Sequence, residues 1–177
     1  MNFFYSFKHH IFPFLVVLMR IAFGGGWLLA GVTKITDKGW FREPSVFLQD
    51  YLETALTKPN VPEFYKEFIK HLCLPYVDFY NYVLPIVQIV IGILLIVGLC
   101  TLPSILICLF MHINFILSGN MNLLSLVLYT GAFGLLLCGS YTYLLSLDQL
   151  FKRVPSFAQK RISKSDNVTL NNRSLVN

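Results

Sequence analysis

Charge is what this sequence has least of. Asp, Glu, Lys and Arg make up 13% of its 177 residues, against 55% hydrophobic residues. So little charge cannot clothe the surface of a water-soluble domain, and it points to lipid as the solvent for most of the chain. Cysteine is sparse too. Cys73, Cys100, Cys108 and Cys138 form no CxxC pair, which argues against a dithiol redox motif or a zinc ribbon. Three of them sit in apolar runs, where cysteine behaves as a small buried hydrophobe. Cys73 alone falls in a polar stretch, the one thiol placed to meet a substrate from outside. A CxxCH haem attachment, histidines paired across two spans, a glycine-rich nucleotide loop and a Walker motif are all missing. Any electrons handled here therefore come from a partner or directly from a small substrate.

What is present is a series of apolar runs near the length of about 20 residues that crosses a bilayer. They fall at about 11–33, 80–100, 102–118 and 121–145. The expected fold is an all-α membrane protein, a four-transmembrane-helix bundle over residues 1–150, with an outer loop of amphipathic helices at 35–79 between helices 1 and 2. Residues 151–177 read as a basic, disordered cytoplasmic tail. Lys8 precedes the first run, while Lys152, Arg153, Lys160, Arg161 and Lys164 follow the last. The 35–79 loop and its flanks hold six basic residues but also seven acidic ones, so they carry no comparable bias. The positive-inside rule then puts both termini in the cytoplasm of a multi-pass plasma-membrane protein. The basic residues follow topology rather than a nucleic-acid-binding pattern, and no nucleic acid is expected as a partner.

The helix faces are legible. Arg20, Gly24, Trp27, Gly31 and Lys34 recur at steps of three and four, so they share one side of the first helix. The glycines there admit a close neighbour, and Lys34 is expected to mark the outer surface. In the second run Asp78, Asn81, Pro85, Gln88 and Gly92 form a stripe that should face the bundle. The turn Leu99–Pro103 makes the second and third spans antiparallel neighbours. In the loop, Phe47, Tyr51, Leu52 and Leu56 form one apolar face, and Phe64, Tyr65, Phe68, Ile69 and Leu72 another. Such helices lie in the interface plane or cap a bundle.

Polar residues inside membrane spans are costly and face a protein interior or a ligand. At about 1.5 Å per residue, Arg20 lies roughly 12 Å, His112 roughly 15 Å, and Gln88 and Asn114 roughly 18 Å from the cytoplasmic end of their spans. Their common depth, with Trp27 on the face of Arg20, suggests one pocket. His112 and Asn114 point about 200° apart, so one contacts a helix while the other lines a cavity. Each residue also has a structural reading, as snorkelling arginine, helix-bridging amide or satisfied core histidine. A pocket of this kind suits the carbonyl oxygens of a quinone, for which Arg20 and Gln88 are donors and His112 a donor and proton carrier. A lipid head group or an anion suits the same groups equally well.

The chain resembles the DoxX/DoxD family of small four-helix membrane proteins. The likeness rests on Arg20 followed by Gly24-Gly-Gly-Trp-Leu-Leu-Ala-Gly31 and Lys34, and on Pro85-Ile-Val-Gln-Ile-Val-Ile-Gly92 through Gly98-Leu-Cys-Thr101. Asn114-Phe-Ile-Leu-Ser-Gly-Asn120 and Leu144-Leu-Ser-Leu-Asp148 extend it to most of residues 11–150. The resemblance implies a membrane subunit of a quinone-linked oxidoreductase, with quinone as co-substrate and thiosulfate:quinone oxidoreductase as the best-known DoxD activity. Gln88 stands where many relatives carry an acidic residue, and the domain that accompanies the DoxD part of the thiosulfate enzyme is not in this sequence. The partners expected are therefore the bilayer, a separate redox subunit and a second copy of the chain. The alternative is a non-catalytic anchor for a redox or stress-response complex.

Overall fold

A computed structural model describes residues 11–120, 123–151 and 154–155, and all regular structure among them is helical. Helix α1 spans Phe12–Thr36, with a proline in its opening turn where a missing N–H is harmless. Two shorter helices follow, α2 at Val46–Thr57 and α3 at Glu63–Phe68, the latter continued by a π-helical turn at Ile69–Cys73. Then come α4 at Val77–Val97, α5 at Thr101–Leu117 and α6 at Leu123–Cys138. A 3-10 turn at Gly139–Tyr143 and a short α7 at Leu147–Leu150 end the described chain. The expected basic tail beyond Pro155, and most of the lysines and arginines that orient the chain by charge, lie outside the described residues.

Among the described residues three stretches are long and apolar enough to cross a membrane: Phe12–Thr36, Val77–Val97 and Leu126–Tyr143. At 17 residues, Thr101–Leu117 is apolar but shorter. Between Asp78 and Asp148 the sequence contains no Asp, Glu, Lys or Arg. Polar work in these helices falls to amides, hydroxyls and one histidine.

The four long helices form a closed ring in which α1 touches α4 and α6, and α5 touches α4 and α6. The chief contact is α1 on α4; α4 and α5 touch as well, as their short turn requires. Glycine explains the preference. A Cβ at Gly24 would stand 2.8 Å from the Gly92 carbonyl oxygen, and one at Gly92 would stand 2.6 Å from the backbone nitrogen of Leu28. The two backbones therefore meet where side chains are absent, as the spacing along α1 and α4 anticipates. Around this seam Phe23, Trp27, Ile91, Leu95, Ile105 and Cys108 pack as one apolar core.

A second core joins the outer helices to the bundle through Trp40, Leu48, Leu52, Ala55, Val61, Tyr65 and Ile69. The apolar faces differ in phase from those expected. Leu48 is buried where Phe47 was expected, and Phe64, Phe68 and Leu72 stay exposed while Tyr65 and Ile69 turn inward. A helix this aromatic has an apolar surface wider than the strip its bundle contact needs, and periodicity alone does not say which edge is covered.

Candidate ligand-binding site

Arg20 is buried, but not in a ligand pocket. Its guanidinium Nη1 donates to the carbonyl oxygens of Thr142 at 2.7 Å and Leu144 at 3.1 Å, and Nη2 donates to that of Leu145 at 3.0 Å. These carbonyls are free to accept because α6 stops at Cys138 and the chain curls through the 3-10 turn, with Leu145 left-handed at φ 49°. Asp148 completes the arrangement. Its carboxylate accepts from the backbone N–H of Cys100 at 2.8 Å and Thr101 at 2.7 Å, two donors at the N-terminus of α5 with no partner within the helix. Its own N–H donates to the Gly98 carbonyl at 2.9 Å. Gly98 has φ 71°, and a Cβ there would stand 2.4 Å from Ser146 Cβ and 3.0 Å from Arg20 Cζ. Arg20 and Asp148 thus clasp the start of α5 to the segment after α6.

At the other end lies a cavity of about 410 Å³ to which all four long helices contribute: Trp27 from α1, Gln88 from α4, His112 from α5 and Leu128 from α6. The segment after α1 and the start of α2 roof it with Lys38, Trp40, Phe47, Leu48 and Tyr51, and Lys34 and Asn120 stand at its side. Three buried polar atoms on its walls have no hydrogen-bond partner: Trp27 Nε1, Trp40 Nε1 and Gln88 Oε1. Those residues are only 2%, 2% and 1% exposed. A buried polar atom left unpaired costs about 1–3 kcal/mol, so three around one space mark a site shaped for something other than its own packing. His112 stands edge-on to Trp27 at 6.1 Å and stacks on Tyr129 at 5.9 Å between ring centroids.

Lys34, in the last turn of α1, is half-buried. Its ammonium donates to the Ala30 carbonyl and lies 5.7 Å from the Trp40 ring centroid and 5.8 Å from that of Phe115. Lys38 stands 4.7 Å from the Phe47 ring. Among the described residues no Asp or Glu lines this cavity. Asn81, buried in α4, holds the roof by donating to the Trp40 carbonyl at 2.7 Å.

Asn114 and Cys73 belong to a second, smaller cavity of about 150 Å³ between α2, α3, α4 and α5. Asn114 is a bridging amide. The Tyr65 hydroxyl donates to its carbonyl oxygen at 3.0 Å and lies 3.1 Å from its Oδ1, while its Nδ2 donates to the Phe110 carbonyl at 2.8 Å. Burial holds the Tyr65 hydroxyl well above the usual phenol range, so it remains a donor. Burial likewise pushes the Cys73 thiol up to about 11, which leaves almost no thiolate to act as a nucleophile. Among the described residues no group of three His, Cys, Asp or Glu side chains is placed to hold a metal.

Of the residues expected to share a pocket, Trp27, Gln88 and His112 come together, Asn114 lies across the Leu48–Phe115 wall from them, and Arg20 lies apart. Lys34, Lys38 and Trp40 were missed as wall residues. The available signal was that Trp40 is one of only two tryptophans and follows Lys34 by six positions. A tightly glycine-packed first helix, ending in a lysine beside such a cavity, is decided by comparison: residues 15–121 match the DoxX family. The chain belongs to the DoxX family. It is accordingly a multi-pass membrane protein. No curated protein and no solved structure matches it. The DoxX match includes both partners of the glycine seam and every cavity residue from the first three long helices, but stops before the Thr142–Asp148 half of the clasp.

Proposed function

We propose that this DoxX protein is the membrane subunit of a quinone-linked oxidoreductase, with the quinone head group seated in the larger cavity. The observation that carries the reading is the set of unpartnered buried atoms on its walls, Trp27 Nε1, Trp40 Nε1 and Gln88 Oε1. Quinone carbonyl oxygens need donors, which two indole N–H groups and the Lys34 ammonium are suited to supply, and the ring needs the apolar walls that Phe47, Phe115 and Leu128 provide. Gln88 Oε1 is left to accept from a hydroxyl on the reduced form. His112 is the wall residue able to pass a proton. Arg20 has no part in binding.

Reduction of the ring takes two electrons and two protons. A separate subunit supplies the electrons by oxidising a small donor such as a sulfur compound. Four membrane crossings complete this picture, with α5 at the short end of the spanning range of about 17–25 residues. Both termini then face the cytoplasm of the cell that bears the protein in its plasma membrane, and α2 and α3 cover the cavity from outside.

Intrinsic fluorescence tests the reading directly, because both tryptophans of the chain line the cavity. A tailless benzoquinone titrated into the purified chain in nanodiscs should quench fluorescence saturably, and Gln88→Leu should weaken the binding. Quenching that never saturates, or is unmoved by Gln88→Leu and His112→Ala, removes the quinone. Lys34 and Lys38, with no carboxylate in the wall, favour an anionic lipid head group as the second reading. Displacement of the quinone by phosphatidylglycerol but not by phosphatidylcholine would select it.

A further inference from the structure

The two cavities share part of their walls. Leu48, Tyr51 and Phe115 line both. One space sets unpartnered donors and an acceptor among apolar walls; the other is almost wholly apolar, lined by residues such as Leu52, Phe68, Leu84 and Met111. Four of its polar side chains engage one another: Tyr65 with Asn114, and Tyr51 with Ser118. A chamber with unmatched polar groups and one with almost none, side by side under one roof, match a ligand that is itself divided into a polar-edged head and an apolar chain.

We propose that the smaller cavity is a tail site, receiving the first apolar unit of the chain attached to the head group held between Trp27, Trp40 and Gln88. The proposal rests on the head-group reading above. Its size sets the occupant. A cavity of about 150 Å³ in a protein core accommodates a molecule such as benzene, so this one takes a single branched five-carbon unit and not an extended chain. The remainder of a longer chain leaves toward lipid. Leu48, Tyr51 and Phe115 are the side chains past which head and tail connect, and they select for a chain attached directly to the ring. Cys73, half-buried on the far wall, is a measure of tail length and not a reagent.

The test compares one benzoquinone without a tail and its homologue carrying a single isoprenyl unit, each titrated into the full-length chain in nanodiscs and read by tryptophan quenching. Cys73→Phe and, independently, Leu84→Phe fill the smaller cavity from positions that do not line the larger one. Both variants should lose affinity for the isoprenyl homologue by about tenfold, the scale on which apolar pockets discriminate small groups, while binding of the tailless ring changes by less than about twofold. Retained binding of the tailless ring shows that each variant is folded. Equal losses for both ligands, or no loss for either, overturn the tail site. Failure of the tailless ring to bind the wild-type chain is a different result: it removes the head-group reading, and the tail site with it.

Discussion

The two ends of the bundle treat buried polarity in opposite ways. At one end Arg20 and Asp148 bring costly groups into the interior and spend them on backbone: three carbonyls accept from the guanidinium and two N–H groups donate to the carboxylate. At the other, Trp27, Trp40 and Gln88 carry polar atoms into an equally buried place and leave them unmatched around a space. The clasp is not saturated, since Arg20 Nε and Thr101 Oγ1 also lack partners, but neither residue lines either cavity. A charge with well-placed partners identifies architecture. Unmatched atoms gathered around a cavity mark a candidate binding site, whether or not any of them is charged.

Breaking the clasp should have the largest effect. Arg20→Met leaves three carbonyls without their charged donor, a loss of about 3–5 kcal/mol at roughly 1–3 kcal/mol for each buried polar group left unpaired. Denaturation in detergent should show it. Ligand binding per folded molecule should be unchanged, and a selective loss of binding in a fully stable variant would return Arg20 to the pocket.

The thiols at the two ends give a second contrast. Cys73 at the cavity end is half-buried, and Cys100 beside the clasp is exposed. With its folded-state value raised from the ordinary 9.0 to about 11, the Cys73 thiol carries about a hundredfold less thiolate near neutral pH than it does unfolded, and iodoacetamide should label it correspondingly slowly. The sign follows from burial favouring the neutral form: this contribution to stability is complete below pH 9 and fades as the pH rises through 11. Mass spectrometry after timed labelling separates the two sites. Cys73 labelling as fast as Cys100 at pH 8 would show the lid helices to be open.

Much of the architecture is readable from spacing, and the limits of that reading are physical. Arg20, Gly24, Trp27 and Gly31 share a buried face as their three- and four-residue steps require, and so do Asn81, Pro85, Gln88 and Gly92. A periodicity reports which side of a helix is turned inward, not what meets it there. Arg20 and Trp27 lie on one face, seven residues and roughly 10 Å apart along the axis, and go to opposite ends of the bundle. The partners of Arg20 are carbonyl oxygens, which have no side-chain signature in a sequence. They become available only because the last long helix ends at Cys138 instead of running on to residue 145. Depth counted along separate helices placed Gln88 and His112 together but misplaced Arg20, since a guanidinium reaches several ångströms from its own backbone. The separation of His112 from Asn114 was legible because 200° between neighbours two apart is a property of any helix.

Gln88→Leu sharpens the comparison by reversing its sign. Replacing a buried acceptor that has no partner by an apolar side chain should stabilise the ligand-free protein by about 1–2 kcal/mol while weakening the ligand. The clasp substitution differs on both counts: it destabilises the protein and leaves binding per folded molecule unchanged. A destabilised Gln88→Leu protein would mean that Gln88 holds helices together and that its oxygen is matched in the folded state.

The smallest effect is expected where the two regions meet function through the roof. Tyr65→Phe removes one hydroxyl that donates to Asn114 and leaves the ring in its apolar core, so the loss should be about 1 kcal/mol. Global unfolding should hardly register it. Hydrogen exchange resolves it, because a local opening that costs little is where such a loss becomes visible. Amides of α2 and α3 should exchange about fivefold faster, while those around Gly98 and Thr101 keep their wild-type rates. Acceleration spread evenly over both ends would show that lid and clasp open as one unit, and the division of the bundle into a fastened end and a receptive end would not stand.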